Sequence, residues 1–158
     1  MSVQRYIDTG LWLDDWFVAL PTPDKLLYVY LLTNPQTNIA GIYKTTVRII
    51  QSMLRQLGYN DLDDAADGTE ALEKMRSRKY GLVISDWNMA PMSGYDLLIK
   101  VRADEMLAST PFILVTAESK TENVIAAKRA GVNNYIVKPF NAVTLREKIE
   151  AVFAAMAR

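Results

Sequence analysis

The sequence predicts an α/β fold: a doubly wound, five-stranded parallel sheet in the order 2-1-3-4-5, with helices on both faces and extra helices at the N-terminus. Three observations carry this. From Thr45 onward helical and strand patterns alternate. Three short runs, GLVISD, PFILVTA and NYIVKP, are rich in Val and Ile without polar alternation, as expected of strands covered on both faces. Amphipathic segments of helical length follow them, as in repeated βα units.

In chain order, LDDWFVAL (Leu13–Leu20) reads as a short helix. TPDKLLYVYLLTNP reads as a second, over Pro23–Thr33, with Thr22 as N-cap, Pro23 at the first helical position and Pro35 beyond its end. NIAGIYK reads as extended. TTVRIIQSMLRQLGY places Val47, Ile50, Leu54 and Leu57 on one helical face and stops at Gly58. DLDDAAD is a weak strand, and GTEALEKMRSRKYG is a helix with Leu72 and Met75 inward. SGYDLLIKVRADEML, TENVIAAKRAG and NAVTLREKIEAVFAAMAR complete the helices. The count is one strand short, because no strand with an acidic end precedes TTVRIIQSML. In the order 2-1-3-4-5 the missing strand is central, and an empty slot there would expose two unpaired edges. The expectation is that Asn38–Lys44 fills it.

Composition narrows the chemistry. Half of the 158 residues are apolar, and 18 basic residues balance 18 acidic ones, so no global field favours nucleic acid or an anionic membrane. Without cysteine there is no disulfide or thiolate chemistry, and without histidine there is no histidine triad, histidine metal site or phosphohistidine. The N-terminus lacks a signal-peptide pattern and LLYVYLL is too short to span a bilayer, so a cytoplasmic protein is expected.

The stretch ISDWNMAPMSG ends an apolar run in Asp86, and its carboxylate could serve as phosphoacceptor, metal ligand or cap. VTAE and YIVKP place a threonine and a lysine-proline at the ends of the next two strands. Together these motifs resemble the receiver domain of response regulators, specifically the single-domain chemotaxis type, over about Thr45–Phe153. The resemblance implies that Asp86 is the phosphoacceptor, Thr116 the switch hydroxyl and Lys138 the lysine bridging acceptor and phosphoryl group. It makes Tyr135 the aromatic rotamer switch, gives Asn88 a backbone carbonyl for a metal ion, and sets Trp87 and Glu118 beside the acceptor and the switch threonine. Ala90 stands where the family usually has proline. The implied function is a phosphorelay module rather than an enzyme. Its implied partners are a histidine kinase and a protein target on the face formed by the last two helices and the strand between them.

Receivers of this kind carry an adjacent acidic pair after their first strand, which holds Mg²⁺ together with the acceptor. Ungapped alignment of TTVRIIQSMLRQLGY puts that pair at Gly41 and Ile42, which cannot bind a metal. Asp86 with the Asn88 carbonyl is then an incomplete magnesium site, and impaired phosphorylation is expected unless Asp14 and Asp15 substitute. A second resemblance covers Arg5 to about Thr46, most specifically LLTNPQTNIAGIY: the start of the winged-helix domain of phage replisome-organiser and DnaD-like replication proteins. It suggests a chimera in which residues 1–44 supply two helices and a replacement first strand to a receiver remainder at 45–158. Within it Arg5, Lys25 and Lys44 face Asp8, Asp14, Asp15 and Asp24, which is no phosphate-binding surface, and Trp12, Trp16 and Tyr28 read as core anchors. No nucleic-acid or membrane partner is expected. The remaining alternatives are a folded chimera without activity and a replication-related DNA-binding module. In assembly, the chain is expected to be a monomer or a strand-exchanged homodimer.

Overall fold

The computed structural model describes residues 26–29, 49–117 and 121–157. Its sheet has five parallel strands, β1 (Leu26–Val29), β2 (Leu62–Ala65), β3 (Leu82–Asp86), β4 (Phe112–Thr116) and β5 (Asn134–Val137), in the order β2-β1-β3-β4-β5. The described helices are α1 (49–56), α2 (Gly68–Ser77), α3 (Gly94–Ala103), α4 (Thr121–Arg129) and α5 (Ala142–Met156). The doubly wound class and strand order are those expected.

Alternating side chains of the strands feed two separate cores. Val83, Phe112 and Leu114 pack with Ala71, Leu72, Leu97, Leu98, Val101 and Ala127, which places α2, α3 and α4 on one face. Leu82, Ile84, Ile113, Val115 and Ile136 pack with Ile50, Leu54, Leu57, Leu145, Ile149 and Val152, which places α1 and α5 on the other. All five residues of β3 and all five of β4 are buried, so these strands lack polar alternation. Local signals set the helix starts. Asp67 caps α2 by accepting from the amides of Thr69 and Glu70, Ser93 and Asp96 form a reciprocal capping box on α3, and Asn141 accepts from the Thr144 amide at α5.

The central strand corrects the sequence reading. Leu26–Val29, assigned above to the helix Pro23–Thr33, is β1 and occupies the position between β2 and β3 that was expected for Asn38–Lys44. Leu26 pairs with Leu62 on one side and Leu82 on the other, and Val29 pairs with Ala65 and Ser85. The physical reason lies in LLYVYLL, an unbroken apolar run. Periodicity cannot separate a buried helix from a strand in so short a run, and a strand covered on both faces requires apolar residues at every position. Backbone pairing with β2 and β3 decides for the strand. The central position is thus filled by Leu26–Val29. Within the helix expected over Pro23–Thr33, Leu26–Val29 is therefore extended. The expected helix Leu13–Leu20, the segment Asn38–Lys44, Trp12, Trp16, Asp14, Asp15, Gly41, Ile42 and Glu118 lie outside the described residues.

Candidate functional site

Three strands deliver Asp86, Thr116 and Lys138 to the carboxyl edge of the sheet. Asp86 is the last residue of β3 and pairs in register with Val115; Thr116, the last residue of β4, pairs with Val137 at the end of β5. The ladder continues beyond the strands, with the Trp87 amide donating to the Val115 carbonyl at 2.7 Å and the Lys138 amide donating to the Thr116 carbonyl at 2.8 Å. Each of these three residues is therefore held by backbone bonds at or next to its own position. That rigidity is what in-line chemistry at a carboxylate needs.

Asp86 is 2% exposed and Thr116 is 4% exposed. The Lys138 ammonium donates to Asp86 Oδ2 and forms an ion pair with it, while the Asn88 amide donates to Oδ1 at 3.0 Å. Burial is the largest influence on this carboxyl and pushes its pKa up; Lys138 and the Asn88 and Trp87 amides pull in the opposite direction without overcoming it. A carboxylate so placed is dry, oriented by two donors and adjacent to a cation that can follow charge onto an incoming phosphoryl group.

The loop after β3 returns sharply to the strand end. The Gly94 amide donates to the Trp87 carbonyl at 3.0 Å, and a Cβ at Gly94 would stand 2.0 Å from the Asp86 carbonyl oxygen and 2.8 Å from Ser85 Oγ. Only glycine permits this approach. Trp87 stacks on Tyr95, the second residue of α3, with ring centroids 5.2 Å apart and planes 20° apart. Tyr135 packs at the edge of the α2–α3–α4 core, with the Lys148 ammonium 5.5 Å from its ring centroid. A small recess between Thr116 and Tyr135 is also lined by Trp87, Asn123 and Ala127. The structure thus brings together Asp86, Asn88, Thr116 and Lys138, and connects Tyr135 to Thr116 through this recess.

Sequence reasoning missed Ser85, Tyr95 and Asn123. Ser85 is a fully buried hydroxyl that donates to the Asp86 carbonyl at 3.1 Å. Its only signal was a polar residue inside an apolar run. Tyr95 and Asn123 carried none, since α3 and α4 read simply as amphipathic helices.

Magnesium prefers near-octahedral oxygen coordination, usually from carboxylates and waters. Among the described residues no group of three carboxylates comes together, and both Asp86 oxygens already accept from the protein. Val29 pairs with Ser85, the neighbour of Asp86, so an acidic pair following the central strand would be residues 30 and 31. These are Tyr30 and Leu31, and the alternative alignment gives Gly41 and Ile42. Among the described residues, the groups present do not complete a magnesium site.

The family model for the response regulator receiver domain matches residues 43–150. Chemotaxis protein CheY-3 of Vibrio cholerae is 45% identical over 120 residues, 76% of this chain and 92% of its own length. Chemotaxis protein CheY of Pseudomonas aeruginosa is 49% identical over 115 residues, 73% of this chain and 93% of its own. Among solved structures, chemotaxis response regulator CheY4 of Vibrio cholerae matches with a TM-score of 0.67 at 30% identity, covering 81% of this chain and 97% of that one. The receiver domain of a sensor histidine kinase from Pseudomonas aeruginosa, solved with magnesium coordinated in its active-site cleft, matches with a TM-score of 0.66 at 25% identity, covering 82% and 98%.

Proposed function

The chain belongs to the response regulator receiver family of two-component signalling, and we propose that within it Asp86 is the phosphoacceptor of a module whose phosphorylation is impaired. The observation that carries this reading is the convergence of Asp86, Thr116 and Lys138 at three adjacent strand ends, with Asp86 buried and ion-paired to Lys138. In the transfer, one Asp86 oxygen attacks phosphorus in line. A P–O bond to the carboxylate forms as the donor's bond to phosphorus breaks, and the donor's leaving group departs with that electron pair. Lys138 moves from carboxylate to phosphoryl oxygen, and the Thr116 hydroxyl bonds that group. Tyr135 then follows Thr116 across the recess between them, which alters the α4–β5–α5 face offered to a protein target; a histidine kinase is the donor class.

Impairment follows from charge. Phosphoryl transfer depends on neutralising oxygens that carry negative charge, and Lys138 supplies one positive charge where the family's acidic pair would add a metal. A DNA-binding role is disfavoured by the even balance of 18 basic and 18 acidic residues.

The test is incubation with acetyl phosphate and Mg²⁺, read by intact mass, with Asp86→Asn as control. The parent is expected to stay largely unmodified, and Asp86→Asn wholly so. Introducing carboxylates directly after the central strand, Tyr30→Asp with Leu31→Asp, should raise magnesium-dependent modification, whereas Gly41→Asp with Ile42→Asp should not. Near-complete, magnesium-dependent modification of the parent would overturn the impairment, and modification surviving in Asp86→Asn would overturn the acceptor.

A further inference from the structure

At the end of the sheet opposite Asp86, the α2–β3 connection, the α3–β4 connection and the last turn of α5 enclose a pocket of about 450 Å³. That volume falls within the range of small-molecule sites, roughly 300–1,000 Å³. Its floor is apolar: Met75, Tyr80, Leu107 and Pro111 are all buried. At its rim stand two methionines left in solvent, Met106 at 77% and Met156 at 53% exposure. Methionine is unbranched and adaptable, which suits a rim that must close over an apolar guest.

The charge at this pocket is one-sided. Arg76, Arg78 and Lys79 line it, and among the described residues no carboxylate does. Arg76 is paired with Asp104 at 3.3 Å and Arg78 with Asp63 at 2.7 Å, both acids lying outside the lining. Among the described residues no ion pair holds Lys79, which leaves about one uncompensated positive charge beside an apolar floor. A doubly charged phosphate would exceed that charge, and a neutral apolar molecule would leave it unused. We propose that this pocket binds a small amphipathic carboxylate, an apolar chain or ring bearing a single negative charge. The assignment is independent of the phosphoacceptor reading, because the pocket shares no residue with the Asp86 site.

The experiment uses the full chain labelled with ¹³C at its methionine methyls and titrated with sodium decanoate below its micelle concentration, with decanol as the neutral comparator. Decanoate should produce saturable shifts at Met75, Met106 and Met156 and leave Met89 and Met92 still. Decanol should bind about fivefold more weakly, the size of one exposed charge pair. Lys79→Gln, an exposed change that leaves the methionine spectrum of the free protein otherwise unchanged, should bring decanoate down to the decanol affinity. Absence of saturable shifts, shifts spread over all methionines, or undiminished binding in Lys79→Gln would each overturn the proposal.

Discussion

At the carboxyl ends of β3 and β4 the polar groups are buried, Asp86 and Thr116 among them, and each is held by neighbours at fixed distances. At the amino ends of the same strands the floor is apolar, and Arg76, Arg78 and Lys79 stand in solvent. Charge has different consequences in the two places. A solvated charge is screened and contributes little either way, whereas a buried carboxylate must be partnered and remains costly to ionise. One strand therefore runs from a tolerant end to a demanding one, and substitutions should sort accordingly.

Gly94→Ala should have the largest effect. Its Cβ would meet the Asp86 carbonyl oxygen at 2.0 Å, a backbone atom that cannot step aside without moving the end of β3. A loss of about 3 kcal/mol in urea unfolding is expected. A loss below about 1 kcal/mol would mean that the turn relaxes freely and that the carboxyl edge is less constrained than described.

Next in size, Lys138→Met leaves the Asp86 carboxylate buried without its cation, and should cost about 2 kcal/mol at neutral pH. The pH dependence sharpens the contrast between the edges. Burial already holds the Asp86 pKa above its ordinary value of 3.8, so the folded state favours the protonated acid. Stability tied to this group is fully present below the unfolded value and is lost as pH rises through the folded one. Removing Lys138 raises the folded pKa further, so the variant's deficit should grow as pH rises from about 4 towards neutral and vanish in acid. Adding Asp86→Asn should abolish that pH dependence. Thermal unfolding across this range checks it, and a deficit that is constant with pH would show that Lys138 acts by packing alone.

Lys79→Gln at the amino edge should have the smallest effect, within about 0.5 kcal/mol of the parent in the same unfolding assay. A larger loss would remove the distinction between the two ends.

Much of the carboxyl edge was legible because its signals are local. GLVISD, PFILVTA and NYIVKP are apolar runs whose last residues or immediate successors are Asp86, Thr116 and Lys138, and parallel strands of one sheet end on the same edge. Gly94 was visible as a glycine in the following turn, but its approach to the Asp86 carbonyl was not, since it depends on how the loop closes. The contacts of Ser85 with the Asp86 carbonyl, of Tyr95 with Trp87 and of Asn123 with the recess beside Thr116 depend on how the chain closes after each strand, and the amino-edge pocket is assembled from α2, the α3–β4 connection and α5.

The central strand marks the boundary between the two kinds of information. By itself the sequence determined β3, β4, β5 and the candidate residues at their ends, because an unbroken run of Val, Ile and Leu flanked by turn residues has no competing local reading. LLYVYLL had one: a threonine N-cap with a proline after it argued for a helix, and the run is too short for periodicity to object. Only the tertiary structure decided that Leu26–Val29 is β1, since a central strand is made by backbone hydrogen bonds to β2 and β3 at once. Those partners lie more than thirty residues away in sequence, and their pairing outweighs the local preference for a helix.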